Sequence, residues 1–144
     1  MPMRHAVAVA VSLTFGVLAL WHFYMAVVPA TAESGAVPSV NGKPLFSPSR
    51  KSTVAVGIAL LLCAGLVAST AGMLSPGIPR VALSWLSYTL ALALLLRGVG
   101  DFRYVGLFKT VRGTPFATLD TFLYSPLCLL LAAAVALVAL DDGT

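Results

Sequence analysis

"TVAVGIALLLCAGLVASTAGML", residues 53–74, runs without a single charged side chain. At a rise of about 1.5 Å per residue, a helix of that length crosses a hydrocarbon core, which needs about 20 residues. Helix formers fill it, and the period-2 alternation of a membrane barrel strand is missing. Three further runs meet the same criterion, at about residues 6–28, 81–100 and 121–140. Breakers fall between them: Pro29, Pro38, Pro44 and Pro48 after the first, "SPGIP" at 75–79 after the second, and Gly113 with Pro115 before the fourth. The expected fold is all-α, a four-transmembrane-helix bundle occupying residues 1–144 as a single domain.

Composition agrees with this. With 59% hydrophobic and 10% charged residues in 144, the chain has too few polar side chains to cover a water-soluble globule. The net charge of +4 is small and scattered, which argues against a nucleic-acid partner. Its distribution says more. Arg4 and Arg80 share a face with the termini, whereas Lys43, Arg50, Lys51, Arg97, Arg103, Lys109 and Arg112 fall in or beside the first and third loops. The positive-inside rule puts those two loops in the cytoplasm and both termini outside, and the acidic tail "DDGT" at 141–144 agrees. One competing reading takes the first run and "PATAES" as a secretory signal cleaved after Ala32. The run is longer than a usual signal core of about 7–15 residues, and more positive charge follows it than precedes it, so retention is expected.

Polar residues cluster by depth. Trp21, His22 and Tyr24 stand near the end of the first span, Arg97, Asp101 and Tyr104 at the end of the third, and Asp120, Tyr124 and Ser125 at the start of the fourth. Arg97 and Asp101 are four apart, so a helix continuing past Gly98 and Gly100 would pair them, with Tyr104 about one turn on. Asp120, Tyr124 and Cys128 make an i, i+4, i+8 stripe. Ionisable residues at membrane depth point inward or to the interface, and they are functional candidates by default. The plainer reading has Arg97 snorkelling, Asp101 neutralising it, and the aromatics forming an interfacial belt. The ligand-binding candidates are therefore Trp21, His22, Tyr24, Arg97, Asp101, Arg103, Tyr104, Asp120 and Tyr124.

His22 has no nearby histidine and no thiolate or carboxylate at ligand spacing, so no metal or other cofactor is expected. Cys63 and Cys128 lie in different spans without a CxxC motif and read as small packing residues. Gly65 with Ser69, and Ala68 with Gly72, form small-xxx-small pairs that would admit a neighbouring helix. Residues 103–112, if helical, would put Tyr104, Leu107, Phe108 and Val111 on one face with Arg103, Lys109 and Arg112 beside it, a pattern suited to a headgroup layer. The proline-rich first loop reads as irregular, either lid or connector. "GKPLF" at 42–46 and "GTPF" at 113–116 hint at a 2+2 parallel repeat with both loops around one mouth.

"WHFYMA", "VPSVNGKPLFSPSRKSTVAVG" and "RGVGDFRYVGLFKTVRGTPFATLDTFLYSPLCLLL" together resemble the bacterial four-helix membrane family known as domain of unknown function 3995. The resemblance covers nearly the whole chain and implies a multi-pass protein of the bacterial inner membrane. It implies no activity. No Walker loop, dinucleotide glycine fingerprint, HExxH or GxSxG occurs. Three functions remain: binding or carriage of a small amphipathic or lipid-like ligand at a cytoplasmic-side polar pocket, with Arg97 on an anionic head; an accessory subunit docking a membrane partner through the small-residue face; and an enzyme with His22 or Asp101 as base, assisted by Tyr104 or Tyr124.

Overall fold

The computed structural model describes residues 2–28 and 31–140; Pro29 and Ala30 of the first loop and the acidic tail at 141–144 lie outside them. The chain runs α1 (Pro2–Val27), a 3-10 turn (Ala32–Ser34), a short hairpin of β1 (Ser39–Val40) and β2 (Lys43–Pro44), α2 (Arg50–Thr70) and α3 (Arg80–Val99). Then follow α4 (Pro115–Leu119), a wide π turn (Asp120–Tyr124) and α5 (Ser125–Leu140). Among the described residues four helical stretches are long and apolar enough to cross a membrane: α1, α2, α3 and the continuous Pro115–Leu140 segment.

Local chemistry moves the helix ends from the apolar runs. Ser49 caps α2, its Oγ accepting the Ser52 N–H at 3.1 Å, so the helix starts three residues before the charge-free stretch. Thr114 does the same for α4 with the Ala117 N–H, and Pro115 fits the first turn, where its missing N–H costs nothing. The fourth span thus begins at 115, not 121. At its other end α2 stops at Thr70, because Gly72 at φ +77° turns the chain and Met73 N–H returns to Ala68 O at 2.9 Å.

The helices associate as two principal pairs, α1 with α2 and α3 with α5, joined by lesser contacts of α1 with α5 and of α2 with α3. A glycine lets each pair close. A Cβ on Gly57 would strike the Phe23 ring, and one on Gly98 would strike Leu129. Between the pairs lies a core of Ala8, Val11, Phe15, Val67, Val135 and Val138. The far end is tied by Arg4, which donates to Val138 O at 3.2 Å and to Thr70 O at 2.6 Å. A buried hydrogen bond of 2.9 Å between Thr70 and Ser87 hydroxyls lies at the same end. Leu13, Val17, Leu62, Trp85, Leu96 and Leu130 are exposed on the outer faces, where only lipid satisfies them. The chain is a multi-pass membrane protein.

The α2 glycines of the small-residue pairs are not where a neighbour comes closest: a Cβ on Gly65 or Gly72 would meet no atom. Gly65 and Ser69 instead line an apolar groove of about 710 Å³ with Leu62, Leu66, Leu83 and Leu86. A close approach on α2 is made about two turns nearer its start, at Gly57.

Candidate functional site

At the end of α3 the chain departs from the continuous helix that would pair Arg97 with Asp101. Gly100 adopts φ +92°, and Gly106 packs against it so tightly that a Cβ on either would collide with the other segment's backbone. Leu107 N–H donates to Gly98 O at 3.0 Å, folding the third loop back onto the helix end. Asp101 therefore lies beyond the helix, where its Oδ1 accepts the N–H groups of Arg103, Tyr104 and Val105 at 2.7–2.9 Å. These bonds, the one from Val105 foremost, hold the Asp101 carboxyl below its ordinary pKa. Residues 103–112 are irregular, not an interfacial helix, because glycine geometry and the Asp101 turn take up the backbone bonds a helix would need. Arg103 stacks over the Tyr104 ring, 5.1 Å from its centroid.

Arg97 turns to the fourth span instead. Its Nη2 donates to Asp120 Oδ1 at 2.8 Å, and Asp120 is fully buried. The second carboxylate oxygen accepts from Gly106 N–H at 2.7 Å and from Lys109 Nζ at 3.1 Å. Lys109, expected on the polar flank of a surface helix, is itself fully buried, and its ammonium also donates to Gly106 O at 2.9 Å and to Thr121 Oγ1 at 2.6 Å. All three ammonium protons thus find acceptors, which is what makes a buried lysine tolerable. Two buried polar atoms beside this cluster have no partner among the described residues, Arg97 Nη1 and Ser125 Oγ.

Asp120 opens the π turn, in which Ser125 N–H reaches back to Asp120 O. The extra residue in that turn breaks the simple i, i+4, i+8 stripe of Asp120, Tyr124 and Cys128. Tyr124 leaves the charge cluster and donates its hydroxyl to Gly35 O in the first loop at 3.2 Å, with its ring 5.8 Å from that of Phe116. Gly35, at φ +67°, packs so closely on Leu119 and Pro115 that a Cβ would strike the Leu119 methyl, and its backbone conformation itself favours glycine. The first loop is therefore fastened to the start of the fourth span, at the end of the bundle where the third loop also lies. The two Gly-x-Pro elements share a left-handed glycine, Gly42 and Gly113, yet one closes a hairpin and the other precedes a helix cap.

The first loop also walls a cavity of about 650 Å³ between the end of α1 and the start of α2. Met25, Val37, Phe46 and Val56 supply apolar surface, and His22, Arg50, Ser52 and Thr53 the polar groups. His22 Nδ1 lies 2.7 Å from Leu18 O, so it is the donor, and Nε2 is left for the cavity. Arg50 Nε donates to Ala26 O at the end of α1 at 2.9 Å, bridging the two helices. Of the sequence candidates only His22 lines this space. Trp21 and Tyr24 stack on each other at 5.5 Å and face outward; Arg97, Asp120 and Tyr124 sit at the α3–α5 side. Arg50 and Lys109 were missed as site residues: one resembled a topology-setting charge, the other a solvated flank. The available signal for Lys109 was Asp120 itself, an acid inside a span that needs more than one donor. No three His, Cys, Asp or Glu side chains converge among the described residues.

The sequence profile of DUF3995, a family of proteins of unknown function, matches residues 15–135. The chain belongs to this family. No curated protein and no solved structure matches it. In this DUF3995 protein the matched stretch takes in every cavity residue and the whole Arg97–Lys109–Asp120 cluster, whereas the Arg4 tie at the far end lies outside it.

Proposed function

We propose that this DUF3995 protein binds a small amphipathic molecule in the cavity between α1, the first loop and α2, on the cytoplasmic face of a bacterial inner membrane. The observation that carries the reading is the cavity itself. Its volume of about 650 Å³ lies within the roughly 300–1,000 Å³ of small-molecule sites, and it combines apolar walls with a few convergent polar groups. It lies at the loop end of the bundle, level with the interface, where an amphiphile arrives from the bilayer with its chain already in place. The charge cluster has a supporting role: it fixes the π turn from which Tyr124 holds the first loop, and with it the cavity wall at Ala36 and Val37.

The test is occupancy. Val56→Trp fills the cavity from α2 and should abolish binding of a fluorescent single-chain amphiphile while helical content stays unchanged by circular dichroism. Native mass spectrometry should likewise show lipid-like adducts on the wild type and not on the variant. Equal binding by both proteins would remove the cavity as the site.

A further inference from the structure

The cavity's polar groups differ in what they have left to offer. Ser52 and Thr53 hydroxyls are committed to Ser49 O at 2.8 and 3.0 Å. His22 offers only Nε2. Arg50 is held at Nε by Ala26 O, which leaves its two Nη groups without a partner among the described residues. No aspartate or glutamate is among the lining residues, so nothing in the wall neutralises the guanidinium. Charge also accumulates where α2 begins: Arg50 and Lys51 occupy its first turn, which holds no acid, although a helix N-terminus already carries positive potential. Like charges gathered beside a half-apolar cavity are relieved by an anion in it.

Resting on the cavity reading above, we propose that the ligand is a single-chain amphiphile with an anionic oxygen head, carboxylate or phosphate, gripped by the Nη pair of Arg50, with its hydrocarbon chain against Met25, Val37, Phe46 and Val56. A planar guanidinium offers two parallel N–H donors to such a head, which a point charge does not. The Nε bond to Ala26 O fixes the direction of that fork, because the head then docks at a guanidinium already anchored to α1.

The experiment compares heads on one chain. Dodecanoate and dodecyl phosphate should bind the purified protein in a neutral lipid nanodisc about tenfold or more tightly than dodecanol or dodecyltrimethylammonium. Arg50→Gln should level the four, and Arg50→Lys should recover part of the preference. Equal affinity of the wild type for all four heads would overturn the anionic inference and leave the cavity reading standing. Binding of none would overturn the cavity reading itself. Inorganic phosphate separates the sources: weak competition supports a chain-bearing ligand, and competition as strong as that of dodecyl phosphate would show a free-anion site and overturn the amphiphile. Should Arg50→Gln fail to fold, the wild-type ranking of heads still decides.

Discussion

Asp120 is a fully buried acid near the start of the fourth span, and its two oxygens are shared among three donors from elsewhere in the chain. Removing one member of a buried, hydrogen-bonded ion pair leaves the other charge uncompensated and costs about 3–5 kcal/mol. Asp120→Asn and Lys109→Met should each destabilise the protein in detergent by that order, and the double variant should lose clearly less than the sum. Arg97 is the softer member, with its side chain about one-third exposed, so Arg97→Ala should cost less than either. Arg97→Ala and Asp101→Ala should add, since Asp101 spends its carboxylate on the backbone of its own turn. Chemical unfolding of this set measures all of these, and non-additivity between Arg97 and Asp101 would contradict the geometry.

Between elements, the decisive link is the first loop's hold on the fourth span. One hydrogen bond from Tyr124 to Gly35 O and the packing of Gly35 on Leu119 join the two helix pairs at the loop end. A hydrogen bond contributes about 1 kcal/mol, so Tyr124→Phe should raise local opening of residues 33–40 about fivefold in hydrogen exchange, with global stability little changed. No change in exchange there would mean that packing alone holds the loop. The helices were legible in the sequence because an uncharged run of about 20 residues has few alternatives. The site was legible only in part. His22, Arg97, Asp120 and Tyr124 stood out as polar groups at membrane depth, but the partners of the last three follow from contacts that helical spacing does not encode. Gly100 against Gly106 is such a contact: each glycine reads as an ordinary helix breaker until the two segments are seen to touch. That touch ends α3 early, sends Asp101 outward and turns Lys109 in. Arg50 was hidden for another reason, since a basic residue at a helix start near the membrane counts equally as a topology signal.

For the molecule as a whole, seven of the nine basic residues lie in or beside the first and third loops, with Lys109 now buried within its loop. Cysteines placed at Asn41 and Thr110, both exposed, in a background lacking Cys63 and Cys128 should resist an impermeant reagent in intact cells. A cysteine at Ser75, between α2 and α3, should react. Labelling at Asn41 from outside would invert the protein and move the cavity to the opposite face. The placement of the charges along the chain has a further consequence for synthesis. Arg97 and Lys109 both precede Asp120, so each cation has left the ribosome before the acid that it neutralises. The carboxylate therefore reaches the insertion machinery after both of its cations, and α3 and the last span can pair as one neutralised hairpin.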